Sequence, residues 1–156
     1  MKGVTVAVAG GFDPYHKGHR SHLFEAKLLG DYLIVIVATD EQLVMKKGWR
    51  LLPLEDRIAQ VQDLWFVDEV VVNIDKENMC ADTLALVKPN IFAKGGDRVP
   101  GNMPQKEIDV CNKLDVKIVY GVGDLLGSST NYVMDVVNKL RGEQNASVYG
   151  LRGKIS

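Results

Sequence analysis

The residues best able to do chemistry lie early in the chain, in "GGFDPYHKGH" at 10–19. His16 and His19 stand three apart, beside Gly10, Gly11, Gly18 and Asp13. Such a string suits a metal pair, a tight turn or a cradle for phosphate. A metal pair needs a further ligand, and no matching His or Cys cluster accompanies it. The remaining histidine, His22, falls inside a helical stretch, and Cys80 and Cys111 have no ligand spacing. A phosphate cradle needs backbone that approaches closely, which glycine permits. It also needs a helix start, whose free N–H groups and partial positive charge face the anion. Imidazole N–H groups at that point add donors.

Three other segments carry complementary groups. "MKKGWR" holds Lys46, Lys47 and Arg50; "KGGDR" holds Gly96, Asp97 and Arg98; "GSST" holds Ser129 and Thr130. Each has an ordinary reading when taken alone. The basic run is a solvated loop, the glycines a turn, and the serine a helix cap. Together around one crevice they make an anion site.

The elements that must bring them together follow from periodicity. Strands are predicted at 3–9, 32–39, 68–74, 90–96 and 116–121. "YLIVIVAT" is apolar at both alternating positions, the mark of a strand covered on both faces of a parallel sheet. Helices are predicted at 19–30, 53–65, 79–88, 103–115 and 129–142, with a short helical start and a basic loop in 40–52. Leu23, Ala26 and Leu29 mark one apolar stripe, with Gly30 as its C-cap; Ile58, Val61 and Leu64 mark another. Ser129 is the expected N-cap of the last helix. Strict alternation predicts an α/β domain, a Rossmann-like three-layer fold with a five-stranded parallel sheet. Ligands of such sheets lie beyond the carboxyl ends of the strands. The loops 9–19, 39–50, 94–103 and 121–130 should converge there.

Composition narrows the function classes. The 156 residues carry a net charge of -1, are 46% apolar and 25% charged, and so suit one globular domain. No basic stripe suggests nucleic acid. No secretory signal is evident, and the apolar run "YLIVIVA" is too short to span a membrane. A cytoplasmic protein is expected. Both cysteines fall in helical segments and are expected to be buried thiols.

The string Gly-x-Phe-Asp-x-x-His-x-Gly-His, with "PLEDRIAQV", "FVDEVVV", "KPNIFAKGGDR" and "GSST", resembles the nucleotidyltransferase superfamily with the His-x-Gly-His signature. It is most similar to the cytidylyltransferase-like branches that act on heptose phosphate and glycerol 3-phosphate. The resemblance implies a nucleotidyltransferase domain over 1–142 and a tail at 143–156, flexible or packed on a partner. It implies that His16, His19 and Lys47 stabilise the transferring phosphate. Gly11, Phe12, Gly18, Gly96, Asp97, Ser129 and Thr130 would hold the nucleotide. Asp13, Lys46 and Arg57 would face the acceptor. Mg²⁺ would bridge phosphates, with no metal ligand from the protein.

The partners implied are a nucleoside triphosphate and a phosphorylated small molecule, with a homodimer near Trp65 and Phe66. AMP transfer to a sugar 1-phosphate such as a heptose phosphate is the leading expectation. The alternatives are cytidylyl transfer to glycerol 3-phosphate or a similar polyol phosphate, and a nucleotide-binding regulator without turnover. Three positions depart from the pattern. Asp124 stands near where many relatives have Arg, Tyr132 and Val133 where others have a basic residue, and Arg98 where an aromatic is common. Arg98 and Arg141 are the candidates to restore that charge.

Overall fold

A computed structural model describes residues 2–96, 98–124 and 126–148, with side chains to 142. The alternating pattern folds as β1 (Thr5–Gly10), α1 (Lys17–Lys27), β2 (Tyr32–Val37), α2 (Asp40–Lys47), α3 (Leu54–Gln62) and β3 (Glu69–Val72). There follow α4 (Ala81–Val87), β4 (Ile91–Ala93), α5 (Gln105–Lys113), β5 (Lys117–Val119) and α6 (Ser129–Val148). The five strands pair in parallel in the order β3-β2-β1-β4-β5. The chain runs outward from β1 through β2 to β3, then returns to β4 on the other side. The carboxyl ends of β1 and β4 therefore flank the switch point, where a crevice must open.

Both faces of the sheet are covered, as the unbroken apolar run of β2 requires. Leu33, Val35 and Val37 point to one face and pack with Val6, Val8, Leu23 and Ala26 of α1, and Val61 of α3. Ala7, Ile36 and Phe92 point to the other and pack with Leu84 of α4, Met103 just before α5 and Cys111 within it. Both cysteines are free thiols within that second face.

Local chemistry moves several boundaries. α1 begins before residue 19 because His16 caps it, and it ends on Leu28 rather than Gly30. α6 runs to Val148, past residue 142. Its cap is Ser128, not Ser129: the Ser128 hydroxyl accepts the Asn131 N–H at 3.3 Å. Trp65 and Phe66 separate, with Phe66 in the core and Trp65 81% exposed.

Candidate active site

The crevice at the switch point is a cavity of about 780 Å³. His16 and His19 stand on its α1 side and double as the capping box of that helix. His16 Nδ1 accepts the Gly18 N–H at 3.0 Å, and His19 Nδ1 accepts the His16 N–H at 3.2 Å. The rings stack with centroids 3.8 Å apart, and His19 meets the edge of Phe12 at 4.9 Å. A ring nitrogen that accepts a backbone N–H carries no proton. Each neutral imidazole therefore holds its proton on Nε2 and offers it as a donor.

Electrostatics keeps the rings neutral. Burial lowers the His16 pKa. Burial, then the charges of His16, His22, Lys46 and Lys47, push His19 down to about 3. The unfolded chain has a histidine pKa of about 6.5. Below about pH 6.5 the unfolded state takes up a proton that folded His19 refuses, so this residue costs stability increasingly as pH falls towards its folded value. In the free protein, His19 ring resonances should show no titration step between about pH 8 and about pH 5. A step near the ordinary value, followed by NMR, would contradict the neutral-donor assignment.

The basic groups come from the end of α2. Lys47 Nζ lies 3.5 Å from Asp13 Oδ2, 3.3 Å from the Asp13 carbonyl and 4.1 Å above the Trp49 ring. Lys46 lines the cavity beside it. Asp13, expected to touch the acceptor, has its carboxylate committed elsewhere. It is 1% exposed and accepts the N–H groups of Leu51 and Leu52 at 2.7 and 2.6 Å. It anchors the loop after α2 and places Lys47.

Arg57 requires a larger correction. It was expected to face the acceptor and is instead fully buried on α3. Its guanidinium donates to the carbonyls of Leu52, Gly11 and Ala38 at 3.0, 3.0 and 2.6 Å and pairs with Asp40 at 2.8 Å. It ties the loops after β1, β2 and α2 together from beneath the site.

The start of α6 forms the facing part of the same wall. Ser128, Ser129 and Thr130 line the cavity, and the Ser129 hydroxyl donates to the Pro14 carbonyl at 2.8 Å. The preceding loop is fastened to α1. His22 Nδ1 lies 2.7 Å from the Val122 carbonyl, and the Asp124 N–H donates to Ser21 Oγ at 3.0 Å. Gly123, with φ +86°, sits so close to α1 that a Cβ there would come within 2.6 Å of His22 Cα. A Cβ at Gly18 would meet His16 Cε1 at 2.9 Å and Gly127 N at 3.3 Å, so bare backbone lets the two segments meet.

Gly11, Phe12 and Gly96 also line the cavity, while Asp97 lies outside the described residues. Of the two arginines expected to restore charge, Arg98 lines the cavity and donates to the Asn102 carbonyl at 2.8 Å. Arg141 does not serve: it is exposed on α6, roughly 18 Å along the axis from the helix start. The cavity also takes in Asn73, Lys94 and Glu107, which were assigned no role from sequence. Lys94 opens the "KGGD" string, a signal that could have found it; Glu107 lies in the helix predicted at 103–115, with no motif to mark it. Among the described residues no group of three or more His, Cys, Asp or Glu is placed to hold a metal ion. Among them, too, no helix is long and apolar enough to cross a membrane.

A parallel sheet of this order, with a glycine-bearing first loop and two helix starts around a cavity at the switch point, defines a Rossmann-like α/β protein. Residues 7–131 match the model of the cytidylyltransferase-like family, and the chain belongs to that family. It is similar to a FAD synthase of Pyrococcus horikoshii, 41% identical over 96 residues that cover 61% of this chain and 64% of that protein. It is similar also to an ethanolamine-phosphate cytidylyltransferase of Arabidopsis thaliana, 41% identical over 70 residues covering 45% and 17%. The chain thus spans less than two thirds of the length of these relatives. Among solved structures, a lipopolysaccharide core biosynthesis protein of Thermoplasma volcanium superposes with a TM-score of 0.66 at 31% identity, covering 78% of this chain and 98% of that one.

Proposed function

We propose that this protein is a nucleotidyltransferase, moving a nucleoside monophosphate from a magnesium-bound triphosphate to the phosphate of a small phosphorylated metabolite. A phosphate oxygen of the acceptor attacks the α-phosphorus. A new P–O bond forms, the bond to the β-phosphate breaks, and pyrophosphate leaves with the electron pair. The acceptor is already ionised, so no general base is needed. The protein's task is to hold two polyanions in line and stabilise the charge that develops. Magnesium would be carried by phosphate oxygens and neutralise part of that charge.

One observation carries the reading: two neutral histidines with Nε2–H donors stand at a helix start, around one cavity with Lys46, Lys47 and the first turn of α6. We favour AMP as the transferred group and a sugar 1-phosphate, such as a heptose phosphate, as acceptor. The description of the Thermoplasma volcanium protein supports a sugar acceptor. The name of the Arabidopsis thaliana relative supports cytidylyl transfer, the reaction of the alternative, in which glycerol 3-phosphate or a similar polyol phosphate is the acceptor. The reading includes a homodimer, for which the exposed Trp65 edge offers an apolar surface.

Pyrophosphate release is the test, with ATP and CTP each offered heptose 1-phosphate and glycerol 3-phosphate. Release with ATP and heptose 1-phosphate is the expected result. Release only with CTP would move the assignment to the alternative. No release with any of the four pairs would overturn the enzyme.

A further inference from the structure

The wall opposite the histidines belongs to the other face of the sheet. It is made where α4 and α5 begin, and Cys80 and Met103 join it to the second core cluster. Its chemistry centres on Glu107, in the first turn of α5, whose side chain is 5% exposed yet lines the cavity. One carboxylate oxygen is used. Oε2 accepts the Cys80 N–H at 3.0 Å and lies 3.5 Å from the Cys80 thiol. Burial, and then the Glu107 charge, raise the pKa of that thiol, so it stays protonated and remains a donor.

The other oxygen is not used. Oε1 is buried and has no hydrogen-bond partner. Its nearest charge is Lys94 Nζ at 4.0 Å, an ion pair too long for a hydrogen bond. Lys94 is itself held over the Phe92 ring at 4.6 Å. Buried polar atoms are almost always partnered, and an unpartnered carboxylate oxygen on a residue that lines a cavity is an acceptor awaiting a donor.

The polarity of the cavity decides which donor. The histidine, lysine and α6 groups suit phosphates, while a carboxylate repels them. The end of a ligand that reaches Glu107 is therefore uncharged or cationic and carries O–H or N–H. Resting on the transfer reading above, we infer that Glu107 Oε1, with Lys94 beside it, binds the hydroxyl-bearing end of the acceptor. The acceptor's phosphate then lies towards Lys46 and Lys47. Glu107 is thus a specificity residue that selects polyol or sugar phosphates over alkyl phosphates.

Glu107→Gln tests this with little disturbance. The amide oxygen can still accept the Cys80 N–H, while an NH₂ donor replaces the unused acceptor. Calorimetry needs no turnover and uses three probes: heptose 1-phosphate, glycerol 3-phosphate, and propyl phosphate, the hydroxyl-free analogue of the second. Wild type should bind at least one hydroxylated probe about 10-fold more tightly than propyl phosphate, as suits a hydrogen bond to a charged group. Glu107→Gln replaces that charge-assisted bond by a neutral one, so the preference should shrink several-fold while Mg·ATP affinity stays unchanged.

Equal affinity of wild type for all three probes, or binding of none, would overturn the inference. So would an unchanged preference in Glu107→Gln, or a loss confined to Mg·ATP, which would give the carboxylate to the nucleotide. Should Glu107→Gln fail to fold, the wild-type comparison of glycerol 3-phosphate with propyl phosphate decides alone. If the binding pattern holds while no pyrophosphate is released, the transfer reading falls and the subsite stands.

Discussion

His19→Ala is expected to lower kcat by about 100-fold or more, the usual loss when a preorganised donor to developing charge is removed. The reason lies in the tautomer. His19 Nδ1 is committed to the His16 N–H, so its single proton sits on Nε2 and needs no change of protonation to donate. As the bond to pyrophosphate lengthens, negative charge gathers on the oxygens around the α-phosphorus. A donor held in place by a helix cap and stacked on a second ring does not reorganise to meet it. The same variant loses the acceptor for the His16 N–H, which should cost about 1 kcal/mol of stability. His19→Asn separates the two effects. Its side-chain oxygen can still accept that N–H, so stability should recover while turnover stays low. Pyrophosphate release at saturating substrate, set beside urea unfolding of both variants, gives the answer. Unchanged kcat in His19→Ala would remove His19 from the transition state.

The second large effect is on stability. Arg57→Met should destabilise the fold by about 3 kcal/mol, near the lower end for breaking a buried ion pair. The lower end applies because Asp40 is 35% exposed and can be partly rehydrated. Three carbonyls, of Gly11, Ala38 and Leu52, lose their donor together. A buried acceptor without a donor cannot turn to water. Arg57→Lys should rescue little, because an ammonium cannot fork across carbonyls from three loops. Turnover should fall as well, since Gly11 borders the site. A change in unfolding free energy from urea titration of less than about 0.5 kcal/mol, within the range of ordinary surface substitutions, would show that Arg57 is not a clamp.

Much of this architecture was readable from side-chain periodicity. Alternating strands and helices gave the sheet, and the rule for switch points gave the convergence of its loops. His16, His19, Lys46, Lys47, Ser129 and Thr130 do surround one cavity. The failures share a cause. Arg57 was given a ligand-facing role by the family resemblance, and Glu107 was given no role. Each stands four residues before a buried residue on the same helix, Val61 and Cys111 respectively. That spacing puts both charges on the inward stripe, where each must have a structural or a ligand partner. Which partner depends on what lies across the sheet, and that is set by long-range packing. The helix cap at Ser128 rather than Ser129 could not be decided either, because adjacent serines are equivalent until the loop's course is known.

The fastening of the 121–130 loop to α1 bears on how such a protein can change over generations. Gly123 rests on the backbone of His22, and Val122, Asp124 and Ser129 are tied to His22, Ser21 and Pro14. These residues are far apart along the chain yet must be inherited as a set, because altering one dislodges its neighbour across the seam. The lip formed by α4 and α5 packs in the other core cluster and meets that seam through the Val122 N–H, which donates to the Lys94 carbonyl at 3.0 Å, a backbone tie that survives side-chain change. A lineage can therefore rework that lip substitution by substitution and take up a new small molecule, while the half that grips phosphate passes on unaltered.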